Sequence, residues 1–181
     1  TMEYVQIMTL GNALDFGDLH TAVFNQHACS SPTRGFIISG SPSSFSKYQI
    51  SSIASKGNSI LGGDMTISFG SSAACSNSTR AVVFGGGSPP VDTIDLINLS
   101  TEGNAVSFGT LSDVRMLGAA VADGTRAVCV SGRNPSVVNT IEFIQISTGG
   151  SSEDFGDMTQ PSAGRQKFAA CSDSHGGLGG F

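Results

Sequence analysis

Three arginines recur at the same place in the chain and are the repeated residues best suited to chemistry. Arg34, Arg80 and Arg126 lie 46 residues apart, and each follows a threonine and precedes a short apolar run. Guanidiniums on equivalent elements could bind an anion or a carboxylate-bearing glycan, because their planar fork matches a carboxylate. The alternative is a structural bond from each arginine to backbone carbonyls or to an acid of its own or the next repeat. Repetition in every unit is what architecture requires, so the sequence favours the structural role. The acids considered for this bond are Asp15, Asp18, Asp64, Asp154 and Asp157.

Other residues that could serve catalysis or ligand binding occur without the flanking motifs that these functions need. The DFGD pieces at 15–18 and 154–157 lack the other loops of a kinase and the DxDxDG spacing of a calcium loop. No GxSxG elbow accompanies the serines, and the glycines at 85–87 are followed by neither a lysine nor a helix. The three histidines, His20, His27 and His175, are unevenly placed. We therefore expect no catalytic residue, no cofactor or metal site and no enzyme activity.

The four cysteines, Cys29, Cys75, Cys129 and Cys171, show neither a CxxC pair nor a Cys/His ligand spacing. Three of them occupy equivalent places in the repeat, which is typical of packing. We expect free, mostly buried thiols that behave as small hydrophobes. A reducing compartment is compatible with this.

Composition and charge set limits on the partners. The chain has 181 residues, a formal charge of −5, 13% charged residues and 24 glycines separated by apolar runs. An acidic chain without a basic cluster argues against a nucleic-acid partner. No apolar run approaches the roughly 20 residues of a membrane span, and no signal peptide begins the sequence. We expect no nucleic acid and no membrane insertion.

The whole chain is built from one repeat. Gly-Asn pairs begin at Gly11, Gly57 and Gly103, and Gly149-Gly150 continues the series. A period of about 46 residues indicates a repeat architecture. The predicted organisation is a single domain of four units, at 1–47, 48–92, 93–139 and 140–181.

Each unit is predicted to contain four short strands. β-Branched and aromatic residues mark the first, a Gly-Asn turn precedes the second, small residues fill the third, and the Arg-to-Gly run forms the fourth. No segment keeps an apolar period of 3.6 residues, so no helix is predicted. The first strand is expected at 4–7, 50–53, 93–99 and 140–146; the second at 13–19, 59–65, 105–111 and 152–158; the third at 27–30, 72–76, 118–122 and 168–172.

Four-stranded repeats of this length predict an all-β fold, a β-propeller with four blades of about 46 residues and four antiparallel strands each. The small-residue strand is expected innermost, where strands converge on the axis. Counted outward from this innermost strand, the sequence starts at the third strand of one blade and stops after the second strand of another. Pairing of these terminal halves would close the ring without a free sheet edge. The alternatives are a piece of a larger ring, or two chains that share one.

The order of apolar strand, Gly-Gly, loop and aromatic strand resembles the kelch repeat. Phe16, Phe108 and Phe155 stand where kelch repeats carry a tryptophan, and Gly62 interrupts the series. Over essentially all 181 residues, the TR-apolar-GG run, the DFGDL piece and the small-residue strand are similar to kelch-like repeats of tailed-phage virion proteins, especially marine ones. The resemblance implies a non-enzymatic module located in the virion, with other virion proteins or further copies of itself as partners.

Pro-bearing loops between strands are the candidate interaction surfaces, because loops on a rigid scaffold can vary without altering it. A second hypothesis is a propeller lectin that binds a host-surface glycan, for which Phe45 is the one loop aromatic. The candidate interaction residues are Ser41, Pro42, Ser43, Phe45, Pro89, Pro90, Arg133, Asn134 and Pro135.

Overall fold

The computed structural model describes residues 1–38, 40, 46–68, 70–159 and 165–172, and all regular secondary structure in them is β. Runs rich in β-branched and small residues form the strands, and positive-φ glycines and polar turns separate them. The described part of the chain contains no helix, as predicted. The strands are β1 (Met2–Tyr4), β2 (Leu14–Gly17), β3 (His27–Ser30), β4 (Arg34–Ile38), β5 (Lys47–Ser52), β6 (Ile60–Asp64), β7 (Ala73–Ser76), β8 (Arg80–Gly86), β9 (Val91–Asn98), β10 (Val106–Arg115), β11 (Ala119–Ala122), β12 (Arg126–Asn134), β13 (Ser136–Gln145) and β14 (Glu153–Asp157).

These strands form one two-stranded and three four-stranded antiparallel sheets. Sheet I is β1–β2, sheet II is β3–β6, sheet III is β7–β10 and sheet IV is β11–β14, each paired in chain order. Every complete sheet begins with the small-residue strand, continues with the arginine strand and ends with the strand after the Gly-Asn turn. The predicted order of strands within a repeat is confirmed.

The N-terminal strand is shorter than predicted. We expected a strand at 4–7, but β1 ends at Tyr4, and Val5 and Ile7 are 61% and 92% exposed. The equivalent residues of sheet III, Ile97 and Leu99, are fully buried, because they pack in the core between sheets II and III. β1 pairs only with β2, so no further strand in the described part of the chain pairs with it.

The three small-residue strands line a common cavity. Ala28, Ala74 and Ala120, one from each of β3, β7 and β11, face a space of about 230 Å³. Residues 170–172 line the same space. The segment at 168–172 was predicted to be a strand and is not one in the structure.

Two apolar cores fill the spaces between the complete sheets. The first joins sheet II, through Phe36 and Tyr48, to sheet III, through Val83 and Ile97. The second joins the other face of sheet III to sheet IV, chiefly through Phe84 and Ile144. Both faces of sheet III are therefore buried, which explains why its strands lack the polar alternation of a half-exposed sheet.

The cysteines follow the prediction of free thiols. All four are unpaired; Cys75 and Cys129 are buried, Cys29 is half-buried and Cys171 is exposed. Burial raises the pKa of Cys29 and of Cys129 to about 12, which keeps both thiols protonated and unreactive.

Candidate functional site

The repeated glycines hold neighbouring sheets together. Gly63 on β6 lies so close to Gly103 in the β9–β10 turn that an added Cβ would overlap the Gly103 backbone. Only glycine allows this approach, because the contact is between two backbones. Gly17 meets Gly57 and Gly109 meets Gly150 in the same way. We call each such contact a joint.

Backbone hydrogen bonds cross every joint. At the first, the Gly57 amide donates to the Phe16 carbonyl at 2.7 Å. At the second, the Ala105 amide donates to the Asp64 carbonyl at 2.7 Å. At the third, the Gly150 amide donates to the Phe108 carbonyl at 2.9 Å. The sheets are therefore connected by the same bonds that hold strands together.

The asparagine of the Gly-Asn pair strengthens two of the joints. The Asn58 side-chain oxygen accepts from the Asp18 amide, and the Asn104 oxygen accepts from the Asp64 amide, both at 2.9 Å. This explains why a Gly-Asn turn and a glycine-aspartate strand end recur at one spacing. Each is half of a contact between different sheets.

The polar residue three positions before each repeated arginine shapes a turn. The Asn77 side-chain oxygen accepts from the amides of Thr79 and Arg80 at 3.0 and 2.8 Å. Asp123 binds Thr125 and Arg126 equivalently, and the two backbone donors lower its pKa. These side chains orient the arginine at the start of its strand.

The three arginines have different partners. Arg34 forms an ion pair with Glu102 of sheet III, an acid that the sequence analysis did not consider. Arg80 donates from Nη1 to the Ile146 and Ser147 carbonyls of sheet IV, at 2.6 and 3.1 Å. Arg126 lies over the rings of Phe143 and Phe155 of its own sheet, 5.8 and 6.0 Å from their centroids. Arg34 and Arg80 thus each reach the next sheet.

A buried polar residue at the centre of the strand that follows the arginine strand, in β5, β9 and β13, was missed by the sequence analysis. Gln49, Asp95 and Glu142 are at most 2% exposed, and they recur at spacings of 46 and 47. Gln49 and Asp95 bind the segments that lead from one sheet into the next, and Glu142 binds Arg115 at the end of β10. A polar residue repeated at the same place in an apolar strand was the available signal, and Glu3 holds that place in β1.

The contacts of these residues differ in detail. Gln49 accepts from the Thr21 amide and donates to its carbonyl, both at 3.0 Å. Asp95 accepts from the Thr66 amide and hydroxyl at 3.0 and 2.6 Å. Glu142 binds Arg115 at 3.1 Å, and both side chains are nearly fully buried. Burial raises the pKa of Asp95, although the bonds from Thr66 oppose that shift.

The repeated phenylalanines pack beside the strand that carries this buried polar residue. Phe16 makes an edge-on contact with Tyr4, and Phe155 with Phe143, at 6.2 and 5.9 Å. Phe108 packs on the core between sheets III and IV. Phe155 is 52% exposed, which reflects its place at the outer edge of sheet IV.

The described loop candidates lie at the same ends of two equivalent hairpins. Pro89 and Pro90 lie between β8 and β9, where Pro89 is exposed and Pro90 half-buried. Arg133, Asn134 and Pro135 were expected in a loop, but β12 and β13 run through this segment and turn at Pro135. Arg133 donates from Nε to the Pro135 carbonyl at 2.8 Å, which supports that tight turn. Ser41, Pro42, Ser43 and Phe45 lie outside the described residues.

The described residues contain no group of three or more His, Cys, Asp or Glu side chains that could hold a metal ion. Over the same residues, no helix is long and apolar enough to cross a membrane. No protein-family model matches the chain, and no curated protein matches its sequence.

Proposed function

We propose that the chain is a non-enzymatic structural and interaction module, a closed four-bladed propeller of kelch-like repeats that serves as a virion component. The observation that carries the proposal is that most of the repeated residues make contacts between sheets. The glycines, the Gly-Asn turns and two of the arginines bind one sheet to the next. What differs between units is the loops, and differing loops on a rigid scaffold are suited to recognising other proteins.

The first argument for closure of the ring is a joint between sheets IV and I whose two halves are both present in the chain. Sheet IV ends in Phe155-Gly156-Asp157, and sheet I carries Gly11-Asn12-Ala13 in its turn. These are the two halves of a joint, and no described atom lies within 4 Å of a Cβ added at Gly156, whereas a Cβ added at its counterparts Gly17, Gly63 and Gly109 would overlap the facing turn. We infer that they meet each other as Gly63 meets Gly103.

The segment at 165–172 supports closure within one chain. Asn25, Ser71, Leu117 and Lys167 each precede the small-residue position of their unit, and all have φ between 55° and 62°. The Leu117 amide donates to the Ser71 carbonyl at 2.7 Å, and the Lys167 amide donates to the Leu117 carbonyl at 2.9 Å. Lys167 thus continues the same bonding pattern, which supports a fourth position filled by the chain's own C-terminal part.

The apolar faces of the end sheets also match each other. Val5 and Ile7 of sheet I are exposed, and Val128 and Phe143 of sheet IV are only half-buried. Their counterparts at the other sheet interfaces are mostly buried. Glu3 would then reach Thr159 as Asp95 reaches Thr66. Contact between these faces removes apolar surface from water, which favours closure.

The proposed partners are other virion proteins or further copies of the chain, bound through the hairpin ends that carry Pro89 and Pro135. The resemblance to phage virion repeats supplies the setting. The net charge of −5 suits a protein partner better than a nucleic acid.

Incorporation into particles tests the proposal. In purified particles of the source phage, mass spectrometry should find the chain in a fixed ratio to the other structural proteins. Ser88→Lys, at the exposed end beside Pro89, should lower incorporation while leaving the melting temperature unchanged. Ser100→Lys, at the opposite end of sheet III, is the matched control and should incorporate normally. Expression of the chain in infected cells without its presence in particles would overturn the proposal.

A further inference from the structure

The strongest unassigned feature is a polar pocket beside Arg80, between sheets III and IV. It has a volume of about 260 Å³ and opens to solvent. Its lining residues include the hydroxyl-bearing Thr79, Thr125 and Ser147 and the buried Ile146. The turn formed by Asn77 holds Thr79 and Arg80 in place, so the pocket is preorganised.

The preceding sheet interface shows what such an arginine binds. Arg34 occupies the place of Arg80 one repeat earlier, and its guanidinium is neutralised by Glu102. The residue that corresponds to Glu102 in sheet IV is Gly149, which has no carboxylate. Among the described residues, no carboxylate lies within 4.0 Å of the Arg80 guanidinium. The chain thus contains one filled and one unfilled version of the same site.

The bonds of Arg80 leave donors for a ligand. Only Nη1 is engaged, by the Ile146 and Ser147 carbonyls, so Nε and Nη2 have no acceptor in the described part of the chain. Bonds from a guanidinium to a carboxylate are stronger than neutral ones, and its fork can bind both oxygens. The carbonyls hold the guanidinium in place without neutralising it.

We propose that this pocket binds a carboxylate-bearing ligand of about the size of one sugar, such as a uronic acid. The ligand's carboxylate takes the role at Arg80 that Glu102 takes at Arg34. Its hydroxyls donate to the Thr79 and Thr125 hydroxyls, which themselves donate to Asn77 and Asp123, and bond to Ser147. A single guanidinium without a second cation suits a monocarboxylate better than a phosphate. This inference goes beyond the proposed function, because it requires neither ring closure nor a virion partner.

Titration of the intact chain with glucuronate tests the inference, with glucose as the neutral control of the same size. Calorimetry should show one glucuronate site, and glucose should bind at least tenfold more weakly. Acetate at high concentration should compete. In amide NMR spectra, glucuronate should shift the signals of Thr79, Thr125 and Ser147 in the wild-type chain, so the test does not depend on a variant that folds.

The variant Arg80→Lys keeps the charge but loses the planar fork, and we expect at least a tenfold loss of glucuronate affinity. The matched control is Arg34→Lys, which should leave the affinity unchanged. Equal binding of glucose and glucuronate, or shifts confined to residues outside the pocket, would overturn the proposal. Tighter binding of a glutamate-containing peptide at the same amides would overturn the assignment to a sugar acid.

Discussion

Arg34 and Glu102 form an ion pair between sheets II and III, with each side chain about two-thirds buried. The pair belongs to a joint that already has backbone hydrogen bonds and a glycine contact, so it adds to a contact that forms without it. Its effect should be small and sensitive to salt, because ion pairs near the surface contribute at most about 1 kcal/mol.

Glu102→Gln should lower the free energy of unfolding by about 0.5–1 kcal/mol at low ionic strength, because it removes the charge and keeps the shape. Urea unfolding measured at low and at 1 M salt checks this. The difference from wild type should nearly vanish at high salt. A loss that does not change with salt would show that the charge is not what stabilises the joint.

Tyr48 and Gly62 compensate for each other, which accounts for the interruption in the phenylalanine series. A Cβ added at Gly62 would overlap the ring of Tyr48, whose hydroxyl donates to the Gly103 carbonyl at 2.8 Å. In sheet III the same two places hold Ile94 and Phe108. One large aromatic residue therefore fills this space in either arrangement.

Gly62→Phe should destabilise the chain by about 2 kcal/mol or more, because two rings cannot share the space. The double variant Tyr48→Ile with Gly62→Phe reproduces the arrangement of sheet III and should recover most of that loss. A double-mutant cycle from urea unfolding measures the coupling. Additive losses in the two single variants would contradict the compensation.

Asp95 and Asp123 should respond to pH in opposite directions. Burial raises the pKa of Asp95 above its unfolded value, so its stabilising contribution is present below about pH 3.9 and is lost as pH rises through the folded pKa. Hydrogen bonds from Arg126 and Thr125 lower the pKa of Asp123. Its contribution is therefore present above about pH 3.9 and lost as pH falls through its folded pKa.

Asp95→Asn should make the chain more stable than wild type at pH 7, with an advantage that disappears toward pH 3. Asp123→Asn, the matched change at a turn where Asn77 is natural, should lower stability at pH 7 and converge with wild type in acid. Melting temperatures across pH 3–8 check both. If the difference in melting temperature from wild type had the same sign for both variants at pH 7, the assigned pKa shifts would be contradicted.

Much of the fold follows from the repeat period, and what does not follow depends on contacts between repeats. The small-residue strand at 27–30 was predicted with the observed bounds, because local composition determines it. Glu102 was overlooked as the partner of Arg34, because the pair joins two sheets and only one of the arginines has such an acid. Val5 lies outside β1, although a strand was predicted there, because a strand forms only where neighbouring strands pair with it. The local sequence pattern does not show which strands will be neighbours.

The candidate site also combines features that the local sequence predicts with features that depend on contacts between repeats. That the repeated arginines are structural was an expectation from the sequence; Arg34 and Arg80 each bond to the next sheet, whereas Arg126 lies over two rings of its own sheet. The pocket beside Arg80 depends on Gly149 standing where Glu102 stands one repeat earlier. Aligning the units column by column would have revealed that difference, whereas the cavity itself required coordinates.

The central claim is that a fourth joint closes the ring within one chain, and a disulfide between its two halves tests it most directly. Asn12→Cys with Asp157→Cys, in a Cys171→Ser background, reproduces the places of Asn104 and Asp64 at an internal joint. Asn104→Cys with Asp64→Cys is the control, since the Asp64 amide lies 2.9 Å from the Asn104 side chain. After mild oxidation at micromolar concentration, non-reducing electrophoresis and mass spectrometry should find the 12–157 bridge inside monomers, to the same extent as the control. A control that forms its bridge while the 12–157 pair stays reduced, or links only separate chains, would contradict the closed ring.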